Sequence, residues 1–177
     1  KVNKDEKPEL VSKIFSTVSN KYDLMNDAMS FGLHRAWKEK MYLVTKLQDN
    51  ETVLDIATGT GDIALKLLNK RKNLNITCLD ENNDMLQLCK DRLIDNGYIK
   101  DIKFLKSSIE DADLLKNYYS LATIAFGFRN FTDHSKALRN IYKSILPGGR
   151  LVIMEFSTPE NNILQNIFEK YTHLIIP

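Results

Sequence analysis

The sequence predicts an α/β domain built on a parallel sheet with helices on both faces. Three observations lead there. From Glu51 onward, short apolar runs alternate with longer amphipathic segments, the pattern of strands and helices in a βαβ repeat. The first strand-to-helix junction is glycine-rich, VLDIATGTGDIA (53–64), a turn that binds ligands in such sheets. A chain of 177 residues, 27% charged and 43% hydrophobic, suits one globular domain with one core.

The strands are expected at TVLDIA (52–57), NITCLD (75–80), IKFLKS (102–107), SLATIAFG (120–127) and RLVIMEF (150–156), each short and rich in Val, Ile, Leu or Phe. Between them, residues 61–70, 83–96 and 133–146 place apolar side chains at i, i+3, i+4 spacing, with Asn83 and Asp133 as helix N-caps. Pro147-Gly148-Gly149 reads as the stop of the last helix before the fifth strand. Residues 1–50 lie outside this repeat. They hold two helix candidates, 9–20 and 34–47, around the stretch YDLMNDAMSFGLHRAW (22–37). That stretch sets Asp, Asn, Ser and His among Met and aromatic residues at no regular period, and reads as a cover that folds over the strand ends. The expected organisation is a helical cover and substrate segment, 1–50, integrated with an α/β core, 51–177.

The formal net charge is +2 and the basic residues are scattered, so no nucleic-acid partner is expected. Cys78 and Cys89 form no ligand pattern for a metal and sit in apolar contexts, which predicts buried free thiols and a reducing compartment. No apolar run approaches the roughly 18 residues that span a bilayer, and no signal peptide is visible. The chain begins without Met and ends at Ile175-Ile176-Pro177, as a processed or trimmed portion would.

In the glycine turn, Gly59 and Gly61 let the backbone approach a ligand, with Ala57, Thr58 and Thr60 completing the bend. Asp80 ends the second strand, with Glu81 beside it, where a carboxylate accepts ribose hydroxyls. A dinucleotide and S-adenosylmethionine (SAM) both suit this arrangement, and GTGDIA fits the relaxed dinucleotide fingerprint GxGxxA. Asp55 favours SAM. It ends the first strand where a dinucleotide would place its pyrophosphate, and like charges repel in a partly desolvated crevice. SAM carries an ammonium and a sulfonium instead. Ser108-Ile109-Glu110 follow the third strand and would offer a hydroxyl or amide to an adenine edge and an apolar face to its ring; plain core packing is the alternative for Ile109. Ala125 and Phe126 end the fourth strand beside the methionine portion.

Three stretches carry a family resemblance: YDLMNDAMSFGLHRAW, FGFRNFTD (126–133) and SILPGGRLVIMEFS (144–157). Through them the chain resembles the UbiE-type C-methyltransferases of ubiquinone and menaquinone biosynthesis, a branch of the class I SAM-dependent methyltransferases, from about residue 10 to 177. The resemblance implies a Rossmann-like, seven-stranded sheet whose last two strands have no counterpart before Pro177. It implies SAM contacts at Thr60, Asp80, Ser108-Ile109 and position 125. The usual Asn-Ala pair is Ser108-Ile109 here and the usual Ser is Ala125, so fewer side-chain bonds to the cofactor and a lower affinity are expected.

The implied reaction moves a methyl group from SAM to a ring carbon of a polyprenylated benzoquinol or naphthoquinol. That carbon becomes nucleophilic once the neighbouring phenol, with a pKa of about 10, loses or shares its proton. His34 is the candidate base, with Tyr22 and Asp23 as relays; a cap or structural histidine is the alternative for His34. Arg129 would stabilise phenolate charge or orient a water, with a surface ion pair as its alternative, and Asn130 would orient a water or ring oxygen. An apolar stripe of Ile163, Leu164, Ile167, Phe168 and Tyr171, with Leu174, Ile175 and Ile176 beyond, is the candidate face for the tail, a second copy or a quinone-biosynthesis complex, with core packing as the alternative. Peripheral membrane contact follows, on the mitochondrial matrix side in a eukaryote or the cytoplasmic side of the inner membrane in a bacterium. A methyltransferase of another small molecule, or a silent SAM-binding subunit, remains the alternative.

Overall fold

The computed structural model describes residues 33–155, with side chains from residue 36 onward. Contacts divide the chain into two units, and Lys38–Phe156 contains the described sheet. The elements run α1 (Leu33–Thr45), β1 (Thr52–Ile56), α2 (Asp62–Lys70), β2 (Asn75–Asp80), α3 (Asn83–Asp95), β3 (Ile102–Lys106), β4 (Tyr119–Ala125), a 3-10 turn (Phe128–Asn130), α4 (His134–Ser144) and β5 (Ile145–Met154). All five strands were expected, four of them within about two residues of these bounds, and the fifth begins at Ile145, five residues before its expected start.

The strands lie in the order β3-β2-β1-β4-β5, with every adjacent pair parallel. The chain builds outward from β1 through β2 to β3, then returns to the other side of β1 with β4. That reversal opens a crevice at the carboxyl ends of β1 and β4, where ligands bind in open α/β sheets.

Residues on the two faces of β1 enter two separate cores. Val53 packs with Ile76 and Cys78 of β2, Ile63, Ala64 and Leu67 of α2, and Leu86, Cys89 and Leu93 of α3. Leu54 and Ile56 face the other way and pack with Leu79, Ala122, Ile124, and Ala137 and Ile141 of α4. Burial on both sides explains why these strands read as continuous apolar runs rather than alternating ones. Both cysteines are free and buried, as the sequence predicts.

Two local expectations need correction. The cap of α3 is Asn82, whose side chain accepts from the amides of Asp84 (2.9 Å) and Met85 (3.3 Å), and Asn83 is the first helical residue. Asp133 caps α4 as expected, accepting from Lys136 N at 2.8 Å. The second correction concerns α4, which ends at Ser144 and passes directly into β5. A residue before proline is disfavoured in the helical region, so Leu146 could not extend α4. Pro147-Gly148-Gly149 then forms an irregularity inside β5: Tyr119 pairs with Ile145, and the next partner pair is Leu121 with Arg150. The helix candidate 9–20 and the stripe from Ile163 lie outside the described residues, whereas the candidate at 34–47 corresponds to α1.

Candidate active site

The turn after β1 takes its shape from left-handed backbone at Ala57 (φ 50°), Gly59 (φ 56°) and Gly61 (φ 78°). A side chain at Gly59 would meet nothing within 4 Å, so this part of the turn borders open space. Gly61 is closed in. A Cβ there would stand 2.5 Å from Cys89 Sγ and 3.3 Å from Cys89 Cα, so the close seating of α3 against the turn requires glycine. A Cβ on Gly127, after β4, would lie 2.5 Å from the Ala57 Cβ, which brings the exits of β1 and β4 into contact.

Asp80 joins the turn to β2. Its Oδ2 accepts from Gly59 N at 2.8 Å and its Oδ1 from Asn82 N at 2.9 Å. Carboxylate oxygens accept more than one donor each, so acceptor capacity remains for a ligand hydroxyl. Glu81 beside it is exposed.

Asp55 is 1% exposed. Its Oδ2 accepts from Thr58 Oγ1 at 2.6 Å and its Oδ1 from Thr123 Oγ1 at 2.7 Å. Burial pushes its pKa from 3.8 up to about 6, against the lowering effect of the two threonine hydroxyls and the Ala64 amide; the nearby Asp80 raises it further. The carboxylate expected to help hold the cofactor is thus engaged by the protein's own hydroxyls. Asp55 lies under the turn and bonds to the protein.

The exit of β3 is likewise tied to its neighbours. Ile109 is 2% exposed and belongs to the core around Leu54 and Ile124, so its side chain is core and its backbone is what a ligand could use. Asn140 of α4 donates to the carbonyls of Ile109 (2.8 Å) and Ala112 (2.9 Å). Ser108 is partly exposed and its hydroxyl donates to Asp111 Oδ2 at 3.2 Å. Lys136 and then Ser108 hold the Asp111 carboxyl below its ordinary pKa. Glu110 Oε1 accepts from the amides of Thr132 (2.8 Å) and Asp133 (3.2 Å), linking the exits of β3 and β4.

Beyond β4, Ala125 and Phe126 are partly buried, and Phe126 is held at φ 59°. Positive φ at a bulky residue is strain that concentrates at functional turns. Arg129 is half-exposed and pairs through its guanidinium with Glu155 at the end of β5, whose Oε2 also accepts from Arg129 N at 3.1 Å. The ion pair weighed for Arg129 is therefore present. Asn130 is exposed at the end of the same turn.

The structure thus gathers Ala57, Thr58, Gly59, Thr60, Gly61, Asp80, Ser108, Ala125 and Arg129 at the carboxyl ends of the strands and in the turns that follow them. Tyr22 and Asp23 lie outside the described residues, and His34 is placed in α1 without a described side chain. Sequence reasoning missed Thr123 and Glu155 as partners of Asp55 and Arg129. A signal for Thr123 existed: it is a hydroxyl in an apolar strand, and β1–β4 register sets it directly opposite Asp55. Among the described residues no group of His, Cys, Asp and Glu could hold a metal ion.

Known proteins share this architecture. A SAM-dependent methyltransferase from Aquifex aeolicus aligns with a TM-score of 0.62 at 23% identity over 71% of this chain and 66% of its own. The [4+2]-cyclase SpnF aligns with a TM-score of 0.66 at 20% identity over 71% of this chain and 46% of its own. At such identities the likeness concerns the fold alone, and the cyclase shows that the fold does not fix the reaction. Sequence is more specific. The chain is 40% identical over 177 residues to the ubiquinone/menaquinone biosynthesis C-methyltransferase UbiE of Proteus mirabilis (strain HI4320), covering 99% of this chain and 70% of that protein. It is 41% identical over 181 residues to the protein of the same name from Rickettsia prowazekii (strain Madrid E), covering 100% of this chain and 73% of that protein. The model of the ubiE/COQ5 methyltransferase family matches residues 1–177, and to that family this chain belongs.

Proposed function

We propose that this chain methylates a ring carbon of a polyprenylated benzoquinol or demethylmenaquinol, with SAM as methyl donor, in ubiquinone or menaquinone biosynthesis. The observation that carries the cofactor half is the turn at the β1–β4 reversal, where Gly59 borders open space next to the Asp80 carboxylate. Two carboxylates, Asp55 and Asp80, stand at this turn. Their charge suits a ligand with an ammonium and a sulfonium and disfavours a pyrophosphate. When bound, SAM supplies an electrophilic methyl group; the protein supplies position and charge.

In this reading, Asp80 receives the ribose hydroxyls with Glu81 beside it, and the backbone of Thr58, Gly59 and Thr60 lies along the methionine portion. The Ser108 hydroxyl and the Ile109 backbone meet the adenine, and Ala125 flanks the transferring group. Arg129, steadied by Glu155, stabilises the phenolate that makes the ring carbon nucleophilic, and Asn130 orients a water or ring oxygen. His34, with Tyr22 and Asp23 as relays, takes the proton. The names of the relatives, with their polyprenyl-quinone pathways, support the quinol. Tail contact at a membrane surface, a homodimer or a quinone-biosynthesis complex, and a bacterial inner-membrane or mitochondrial matrix-side location belong to the same proposal. Among the described residues no helix is long and apolar enough to cross a membrane.

The test is transfer of label from methyl-labelled SAM to a short-tailed demethyl quinol. Label on a ring carbon is expected; SAM binding with no label on any quinol would end the quinol reading. In the same assay Arg129→Ala should lose roughly 100-fold in turnover while SAM affinity changes by no more than about twofold. A large loss of affinity would instead make Arg129 a cofactor residue.

A further inference from the structure

Beneath the cofactor turn, three hydrogen-bonded polar side chains are buried together. Asp55, Thr58 and Thr123 are 1%, 8% and 0% exposed. Thr123 stands on β4 directly opposite Asp55 on β1, and Thr58 lies in the turn itself. Each threonine hydroxyl donates to a different oxygen of the same carboxylate. A single carboxylate therefore connects β4, β1 and the turn.

The geometry points to Thr123 as a positioning residue for the SAM site: with Thr58 it fixes the Asp55 carboxylate in one orientation, and that carboxylate holds the glycine turn in the shape that receives the cofactor. This deepens the SAM reading and rests on it. The alternative, a direct contact of Asp55 with the cofactor, conflicts with its burial. A carboxylate in such surroundings needs its donors. Losing one leaves an oxygen uncompensated and lets the carboxylate rotate or take up a proton. Other bonds tie the turn to β2, from Thr58 N to the Leu79 carbonyl (3.0 Å) and from Gly59 N to Asp80 (2.8 Å), whereas the Asp55 carboxylate links it to Thr123 on β4; the left-handed backbone at Ala57 and Gly59 persists only while such ties hold it. The titratable groups facing Asp55 are Asp80 and Cys78 on β2, and the thiol of Cys89 on α3 lies 3.9 Å from Thr58 Oγ1.

The experiment measures SAM affinity by calorimetry between pH 5 and 8 for the whole chain and for Thr123→Val, which keeps the shape and removes the hydroxyl, and Thr123→Ser, which keeps the hydroxyl. Thr123→Val should bind SAM roughly tenfold more weakly at pH 7.5, and the pH below which affinity falls should move upward, because a donor to the charged form has been removed. Thr123→Ser should recover most of the affinity and the wild-type pH profile. Wild-type affinity and profile in Thr123→Val would overturn the proposal, as would equal losses in the valine and serine variants. If Thr123→Val does not fold, Thr58→Val removes the other donor, and an unshifted pH profile there overturns it equally. Absence of SAM binding by the unaltered chain would instead fail the SAM reading itself.

Discussion

Asp55 is charged at neutral pH in a place that resists charge. Its pKa of about 6 in the fold, against 3.8 ordinarily, means that the folded state holds its proton more tightly than the unfolded chain. The associated stability is present in full below pH 3.8 and is lost as pH rises through about 6, at a cost near pH 7 of roughly 3 kcal/mol. The variant Asp55→Asn avoids that cost. Its melting temperature relative to wild type should therefore be highest above pH 6.5 and fall steadily toward pH 4.5, where protonated Asp55 is no longer penalised. A melting difference that stays constant over this range would show that Asp55 does not titrate there. The residue was legible in sequence as a carboxylate at the strand end, but its role was not. An aspartate beside a glycine turn looks like a ligand group until the strand register brings Thr123 opposite it.

At the scale of elements, the junction of β1 with α2 and α3 is where the fold and the site constrain one another. Gly59 and Gly61 look equivalent in GTGD, and the structure separates them. Gly61→Ala would drive a methyl against Cys89 in α3, and should destabilise the chain by roughly 2–4 kcal/mol from overpacking and left-handed strain together. Gly59→Ala meets no neighbour and carries only the left-handed strain, about 1 kcal/mol, so it should lower melting less than Gly61→Ala and weaken SAM binding as well. Thermal melts and calorimetry on both variants check the contrast, and equal losses of melting temperature would contradict it. The buried Lys38 of α1 pairs with Asp62 at the start of α2, and Arg92 of α3 lies 3.8 Å from the same carboxylate. Such pairs are invisible in sequence, since they depend on how helices pack. The ends of elements were also only partly legible: Asn82 and Asn83 are both good caps, and only the direction of the chain as it enters α3 decides between them.

For the molecule as a whole, the sheet order ranks the strands by protection. β1 and β4 are central and carry fully buried Val53, Leu54, Ile56, Leu121, Ala122 and Ile124, whereas β3 is an edge of the described sheet with half-exposed residues. Hydrogen exchange should be slowest in β1 and β4 and clearly faster in β3; exchange in β3 as slow as in β1 would refute that ranking. By itself the sequence determined the α/β class, the five described strands, the glycine turn and the family, because those follow from apolar runs, turn chemistry and short motifs, all local in the chain. Only the tertiary structure decided that Asp55 is clamped by Thr58 and Thr123, that Ile109 is core, and that Arg129 pairs with Glu155. Those facts depend on which residues of different strands come level at the sheet's carboxyl edge, and register and burial across strands are set by packing.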